Sequence, residues 1–177
     1  MDDKRIAWAI TGAGHMLGEC IKTLLKFEGV DVFLSRAGEE VVRTYGLETY
    51  LSTPRVRIYR EIRASSPLVG RLFAGMYRVV VIAPATSNSI AKFVHGISDT
   101  LVTNLFAQAG KARVPILVFP TDLAPETDSL GPQQEPVKVY PRKIDLENTE
   151  KLTGIGGVVV VRNRAELERC LSPEQTA

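Results

Sequence analysis

The stretch "RVVVIAPATSNSIAKFVHGISDTLVTN", Arg78 to Asn104, decides how this sequence folds. Its opening, "RVVVIAP", is apolar without alternation, the pattern of a strand buried on both faces in the middle of a parallel sheet. The period then changes. Ser87 to His95, and again Asp99 to Gly110, space their apolar residues for helices. Between strand and helix stand Thr86, Ser87, Asn88 and Ser89, and "GISDT" makes a second polar start, with Asp99 as the expected cap and Thr100 as a further hydroxyl. One helix start needs one capping side chain. The surplus at the end of a central strand reads as a polar cradle, because doubly wound sheets bind ligands beyond the carboxyl ends of their strands.

The rest of the chain repeats the alternation. "RIAWAIT" (Arg5 to Thr11) is a buried-strand pattern, followed by Leu17, Cys20, Ile21, Leu24 and Leu25 on one helix face. "DVFLS" (Asp31 to Ser35) predicts a second strand and "AGEEVVRTYG" a short helix closed by Gly46. "VRIYREI" suits a strand, and "SSPLVGRLFAG" a loop with a short helix broken by glycines. "VPILVFP" (Val114 to Pro120) is another buried strand. Residues 121–136, with Pro125, Pro132 and Pro136, read as a long loop of the kind that lies over active sites, and "VKVYPRKI" as an extended segment. "DLENTEKLTG" predicts a helix capped by Asp145 and ended by Gly154, "IGGVVVVR" a last strand, and "NRAELERCL" a last helix with Asn163 and Glu166 spaced as a capping box. The expected architecture is α/β: a Rossmann-like, doubly wound parallel sheet in three layers, one domain over residues 1–177, with 172–177 a tail.

Composition narrows the function classes. The chain has 177 residues, 45% apolar and 24% charged, with a net charge of +2. That balance gives no electrostatic ground for binding nucleic acid or an acidic membrane. No apolar run approaches the ~20 residues of a membrane helix, and "MDDKRIAWAIT" has too short an apolar run for a signal peptide. Cys20 and Cys170 lie far apart in sequence and offer no metal-ligand spacing. A reduced, cytoplasmic protein without a metal is the expectation.

"TGAGHMLG" after the first strand leaves two readings open. Gly12, Gly14 and Gly18 have the spacing G-x-G-x-x-x-G, whereas the dinucleotide fingerprint places its third glycine one position earlier. The second strand ends in Ser35-Arg36 rather than in an acid for a ribose hydroxyl, and an arginine there suits a 2′-phosphate. Alternatively, Gly12 and Gly14 make a tight turn, with Ser35 donating to a mononucleotide phosphate beside a helix N-terminus.

"PATSNSIAKFVHGISDTLVTN" resembles the flavin-binding block of the homo-oligomeric flavin-containing cysteine decarboxylase superfamily. The resemblance runs from Arg5 to about Asp122 and implies a Rossmann-like subunit that binds FMN and assembles through trimers. Carried over residue by residue, it assigns Thr11, Gly12 and Ala13 to the first turn and Ser35 to the phosphate. It assigns Ala85, Thr86, Ser87 and Asn88 to the motif, and Ser98, Asp99, Thr100 and Leu101 to the second helix start.

Two departures set the chemistry apart. The decarboxylases carry a histidine before the motif strand, where this chain reads "REIRASSPLVGRLFAGMY", and a methionine- and tryptophan-bearing clamp where it reads "FPTDLAPETDSLGP". The prenyl-transferring members want a basic cluster that "YPRKID" matches only in part. The pattern is most similar to the branch of archaeal-type flavoproteins and dihydromethanopterin reductases. Ser66-Pro67, Val69-Gly70-Arg71, Arg142, Ile144-Asp145 and Glu147-Asn148 carry that similarity. It implies hydride transfer from reduced FMN to the imine of a 7,8-dihydropterin, giving the tetrahydro cofactor. The donor would be NAD(P)H, ferredoxin or another flavoprotein. A flavin electron carrier working with ferredoxin is the alternative. Asp122 is the candidate for gripping the pterin's amino-pyrimidine edge, since a carboxylate accepts two N–H bonds there. Lys138, Tyr140, Arg142 and Lys143 are candidates for an acidic substrate tail or for a solvated basic face, and His95 for a helix C-cap.

Overall fold

The computed structural model describes residues 4–62 and 67–172, and for 67–69 the backbone alone. Ser66 and the side chains of Pro67 and Val69, which carry part of the similarity above, lie outside the described residues, as do 173–177 of the tail. The strands are β1 (Arg5–Ile10), β2 (Val30–Leu34), β3 (Val56–Arg60), β4 (Tyr77–Ala85), β5 (Ile116–Pro120), β6 (Thr127–Leu130), β7 (Pro136–Val139) and β8 (Val158–Val160). The helices are α1 (Leu17–Leu24), α2 (Arg36–Thr44), α3 (Glu48–Leu51), α4 (Ser87–Val94), α5 (Leu101–Lys111), α6 (Lys143–Leu152) and α7 (Arg164–Leu171), with a 3-10 turn at Pro67–Leu72.

Six strands form one sheet in the order β3-β2-β1-β4-β5-β8, every neighbouring pair parallel. Chain order runs outward in both directions from the β1–β4 pair, so the switch point lies between those two strands. Period-two alternation divides their side chains between two cores. Ala7, Ala9, Val80 and Ile82 pack with α4, α5 and Leu152 of α6. Ile6, Trp8, Ile10, Val81 and Ala83 pack with α1, Val42 of α2 and Leu167 and Leu171 of α7. Trp8 is fully buried, and its indole N–H donates to the Ala83 carbonyl at 2.8 Å, fixing β1 beside β4. Cys20 and Cys170 are free thiols on α1 and α7.

Several local expectations are corrected. Thr100, not Asp99, caps α5: its hydroxyl accepts the Thr103 N–H at 3.1 Å while the Thr103 hydroxyl accepts the Thr100 N–H at 2.8 Å. Asp99 is drawn away by the Lys92 ammonium at 2.8 Å. Asp145 sits one turn inside α6 and accepts from the backbone and guanidinium of Arg142 at 2.9 Å. Asn163 caps α7, but Glu166 reaches past it to the Arg162 N–H at 2.7 Å. Residues 121–136 are not wholly loop, since β6 pairs antiparallel with β7, Thr127 opposite Val139. The prolines concealed that hairpin, and so did its alternating, half-exposed pattern. His95 does stand at the C-cap of α4.

Candidate functional site

Both halves of the switch point end in polar turns, and Thr11 ties them together. Its hydroxyl donates to the Pro84 carbonyl and accepts the Thr86 N–H, each at 2.9 Å. Thr11 is therefore a buried staple between the β1 and β4 turns. The glycines of the first turn serve packing. A Cβ on Gly12 would stand 2.6 Å from that of Ala37, and one on Gly14 would overlap the Tyr45 hydroxyl. Gly18 has nothing within 4 Å, so it lacks the close helix–strand contact that the third fingerprint glycine makes in dinucleotide folds.

Three helices start at this edge under hydroxyl caps. Ser35 accepts the Gly38 N–H at 2.9 Å, Thr86 accepts the Ser89 N–H at 3.3 Å, and Thr100 heads α5. A fourth residue joins two of these starts. The Glu61 carboxylate, at the end of β3, accepts the N–H of Arg36 and that of Leu101, both at 3.0 Å. One anion thus holds the first N–H of α2 and of α5, where helix dipoles favour negative charge. Among the sequence-assigned residues, Ser35 and Thr100 stand at these starts. Leu101 is buried in the core, and Ser98 and Asp99 are exposed, the Asp99 carboxyl held below its usual range by hydrogen bonding to Lys92.

A cavity of about 320 Å³ opens between the two turns. Ala13, Ser87, Asn88, Thr121 and Asp122 line it, so the first turn, the motif and the Asp122 turn meet in one place. Ala85 contributes backbone alone: its carbonyl accepts the Thr121 N–H at 3.1 Å. The Ser87 hydroxyl donates to the Asp122 carboxylate, and the Thr149 hydroxyl donates to the Asp122 carbonyl at 3.3 Å. Asn88 is exposed, and its side chain forms no hydrogen bond among the described residues.

His15 lines this cavity and also a larger one of about 730 Å³ between α1 and the β6–β7 hairpin. Its Nδ1 lies 3.0 Å from the Ser129 hydroxyl on β6. Burial pushes the imidazole below its ordinary value, with Asp122 and then Glu19 opposing. Sequence reasoning missed Glu61 and His15 as site residues. Each had one legible signal: an acid at a strand's carboxyl end, and a histidine inside the first turn. Lys138 pairs with Glu126, Arg142 with Asp145 at 2.8 Å and Lys143 with Glu147 at 3.5 Å, so the basic stretch is internally compensated. Among the described residues, no group of three or more His, Cys, Asp or Glu could hold a metal ion, and no helix is long and apolar enough to cross a membrane.

Comparison with known families matches residues 1–176 to the family described as Flavoprotein. An uncharacterised protein of Methanocaldococcus jannaschii is 37% identical over 94% of each chain. A dihydromethanopterin reductase (acceptor) of Methanosarcina mazei is 42% identical over 70% of this chain, which spans 57% of that protein. Among solved structures, DmrB of Burkholderia xenovorans in complex with FMN, described as a cubic protein cage for redox transfer, superposes with a TM-score of 0.86. The two are 44% identical over 96% of this chain and 93% of that one.

Proposed function

The chain belongs to the Flavoprotein family, and on that premise we propose that it is an FMN-dependent reductase converting a 7,8-dihydropterin of the dihydromethanopterin type to its tetrahydro form. One observation carries the reading. Asp122, the only carboxylate on the smaller cavity among the described residues, stands beside Ala13, Thr86, Ser87 and Asn88, which the family resemblance assigns to the flavin. Cofactor and substrate sites thereby adjoin.

The residues present fit FMN. Glu61 demonstrates that the starts of α2 and α5 accept an anion, and Ser35, whose oxygen serves its own cap, keeps its O–H for a phosphate oxygen. Bound and reduced, the flavin supplies a hydride. Asn88, with both amide groups unengaged, holds the ring's polar edge. Asp122 accepts from the amino-pyrimidine N–H groups through the oxygen that Ser87 does not occupy. The chain works as a homo-oligomer built from trimers, in keeping with exposed apolar side chains at Tyr50, Ile62, Phe73 and Ile97. Its electrons come from a separate donor.

The test is anaerobic. The purified chain should bind FMN, and once reduced should be reoxidised stoichiometrically by dihydropterin. Asn88→Ala should lose flavin while losing at most about 1 kcal/mol of stability. Rapid exchange with ferredoxin and no reaction with dihydropterin would make it an electron carrier instead.

A further inference from the structure

Reduction of a C=N bond needs a proton at nitrogen as well as a hydride at carbon, and no residue assigned so far supplies it. We propose that His15 is the proton donor to the imine nitrogen of the dihydropterin. This rests on the reductase reading above.

Three features of the site support the assignment. His15 lines the smaller cavity together with Asp122, so an acid–base side chain and a ring-gripping carboxylate border the same space. The bond from Nδ1 to the Ser129 hydroxyl ties the imidazole to β6, leaving Nε2 for a ligand. The residue itself is fixed by its turn: Met16, directly after it, takes the left-handed conformation (φ 62°) from which α1 begins. The charged groups around it are Asp122 after β5 and Glu19 on α1, both of which favour the protonated form. Lys22, Asp128 and Lys138 stand farther round the larger cavity. Burial outweighs Asp122 and Glu19, so the imidazolium is a stronger acid than free imidazolium.

The step balances. The imine carbon takes a hydride, and so two electrons, from the reduced flavin. The C=N π pair becomes a nitrogen lone pair that takes the Nε2 proton. Neutral His15 then regains a proton from solvent, and the external donor restores the flavin's electrons.

The experiment follows the FMN-loaded protein, chemically reduced, as dihydropterin reoxidises it in single turnovers between about pH 5 and pH 8. The parent rate should rise as pH falls through a value below the ordinary histidine range. His15→Gln should react roughly 100-fold more slowly and lose that rise. His15→Asn, whose amide can still meet Ser129, should behave the same. Both variants should bind FMN normally and reoxidise normally with ferricyanide, which takes electrons only. A second readout needs no turnover. In the FMN-free protein the His15 imidazole, followed by NMR, should titrate below its ordinary value, and lower still in Asp122→Asn. Parental rates and pH profile in either histidine variant overturn the assignment of His15 alone. A parent flavin that dihydropterin does not reoxidise overturns the substrate reading, and His15 with it.

Discussion

The Ser87 hydroxyl donates to the Asp122 carboxylate, joining the first residue of α4 to the turn after β5. One oxygen is thereby held, while the other has no partner among the described residues. Asp122→Asn keeps the shape and can still accept from Ser87 through its one oxygen, but it then presents an NH2 donor where the ligand's N–H groups need an acceptor. Loss of a charge-assisted pair in a desolvated site should weaken transition-state binding by roughly 2–4 kcal/mol, a fall of about 30- to 1000-fold in kcat/KM. Flavin affinity and reduction by an artificial donor should not change. Parental turnover of dihydropterin would leave Asp122 a turn residue.

The sheet was legible because β1, β4 and β5 carry long apolar runs and α1, α4 and α5 each bury several apolar residues on one face. β4 and β5 are buried at nearly every position, which only a doubly covered parallel sheet requires. The polar block was legible for a related reason: one cap explains Thr86 but not Ser87 and Asn88. What escaped was long-range. That Glu61 spans two helix starts depends on β3 lying at the sheet edge beside β2, and that His15 meets Ser129 depends on the β6–β7 hairpin folding back over the first turn. Neither relation leaves a periodic trace. Caps slipped by a residue or more where two candidates compete, as at Asp99 and Thr100, because Lys92, on the preceding helix, engages the Asp99 carboxylate and the Thr100 hydroxyl takes the cap.

Asp31 is fully buried at the amino end of β2, far along the sheet from the cavity. Arg5 Nε at 2.8 Å and the Tyr77 hydroxyl at 2.8 Å satisfy its two oxygens, and Arg71 stands 3.8 Å away. Burial, with the bond to Asp31, holds the Tyr77 phenol well above its ordinary range. Removing one partner of such a group leaves the others buried and uncompensated. Asp31→Ala should therefore cost about 3 kcal/mol in urea denaturation and leave FMN affinity per folded molecule unchanged. A loss within experimental error would mean that solvent reaches Arg5 and Tyr77 readily.

Glu168 clasps α7 to α1. Its carboxylate takes the Lys26 ammonium at 2.8 Å, Arg164 at 2.7 Å and the Thr23 hydroxyl at 3.2 Å. Those partners, Lys26 first, lower its pKa from 4.5 to about 2. A carboxyl depressed in the folded state adds stability that is complete above its unfolded pKa and disappears as pH falls through the folded one. Stability should accordingly decline between 4.5 and about 2, and Glu168→Gln should flatten that part of the profile. Thermal melts of both proteins across this range decide it. Parallel curves would show the clasp to be screened by solvent.

Glu61 and a flavin phosphate cannot both hold the N–H groups of Arg36 and Leu101. If the phosphate binds at these helix starts, it must displace the carboxylate or bind against its charge. Glu61→Ala removes the competitor and frees both donors, so FMN should bind about tenfold more tightly, a gain of about 1.4 kcal/mol. Riboflavin, which lacks the phosphate, should bind as it does to the parent. The ligand-free variant should lose about 1 kcal/mol of stability, because two first-turn N–H groups lose an acceptor, and inorganic phosphate should restore part of that loss. Measured as paired titrations of flavin fluorescence, the FMN-to-riboflavin ratio separates this effect from any general loosening. An unchanged ratio would place the phosphate away from α2 and α5 and make Glu61 a structural cap for both.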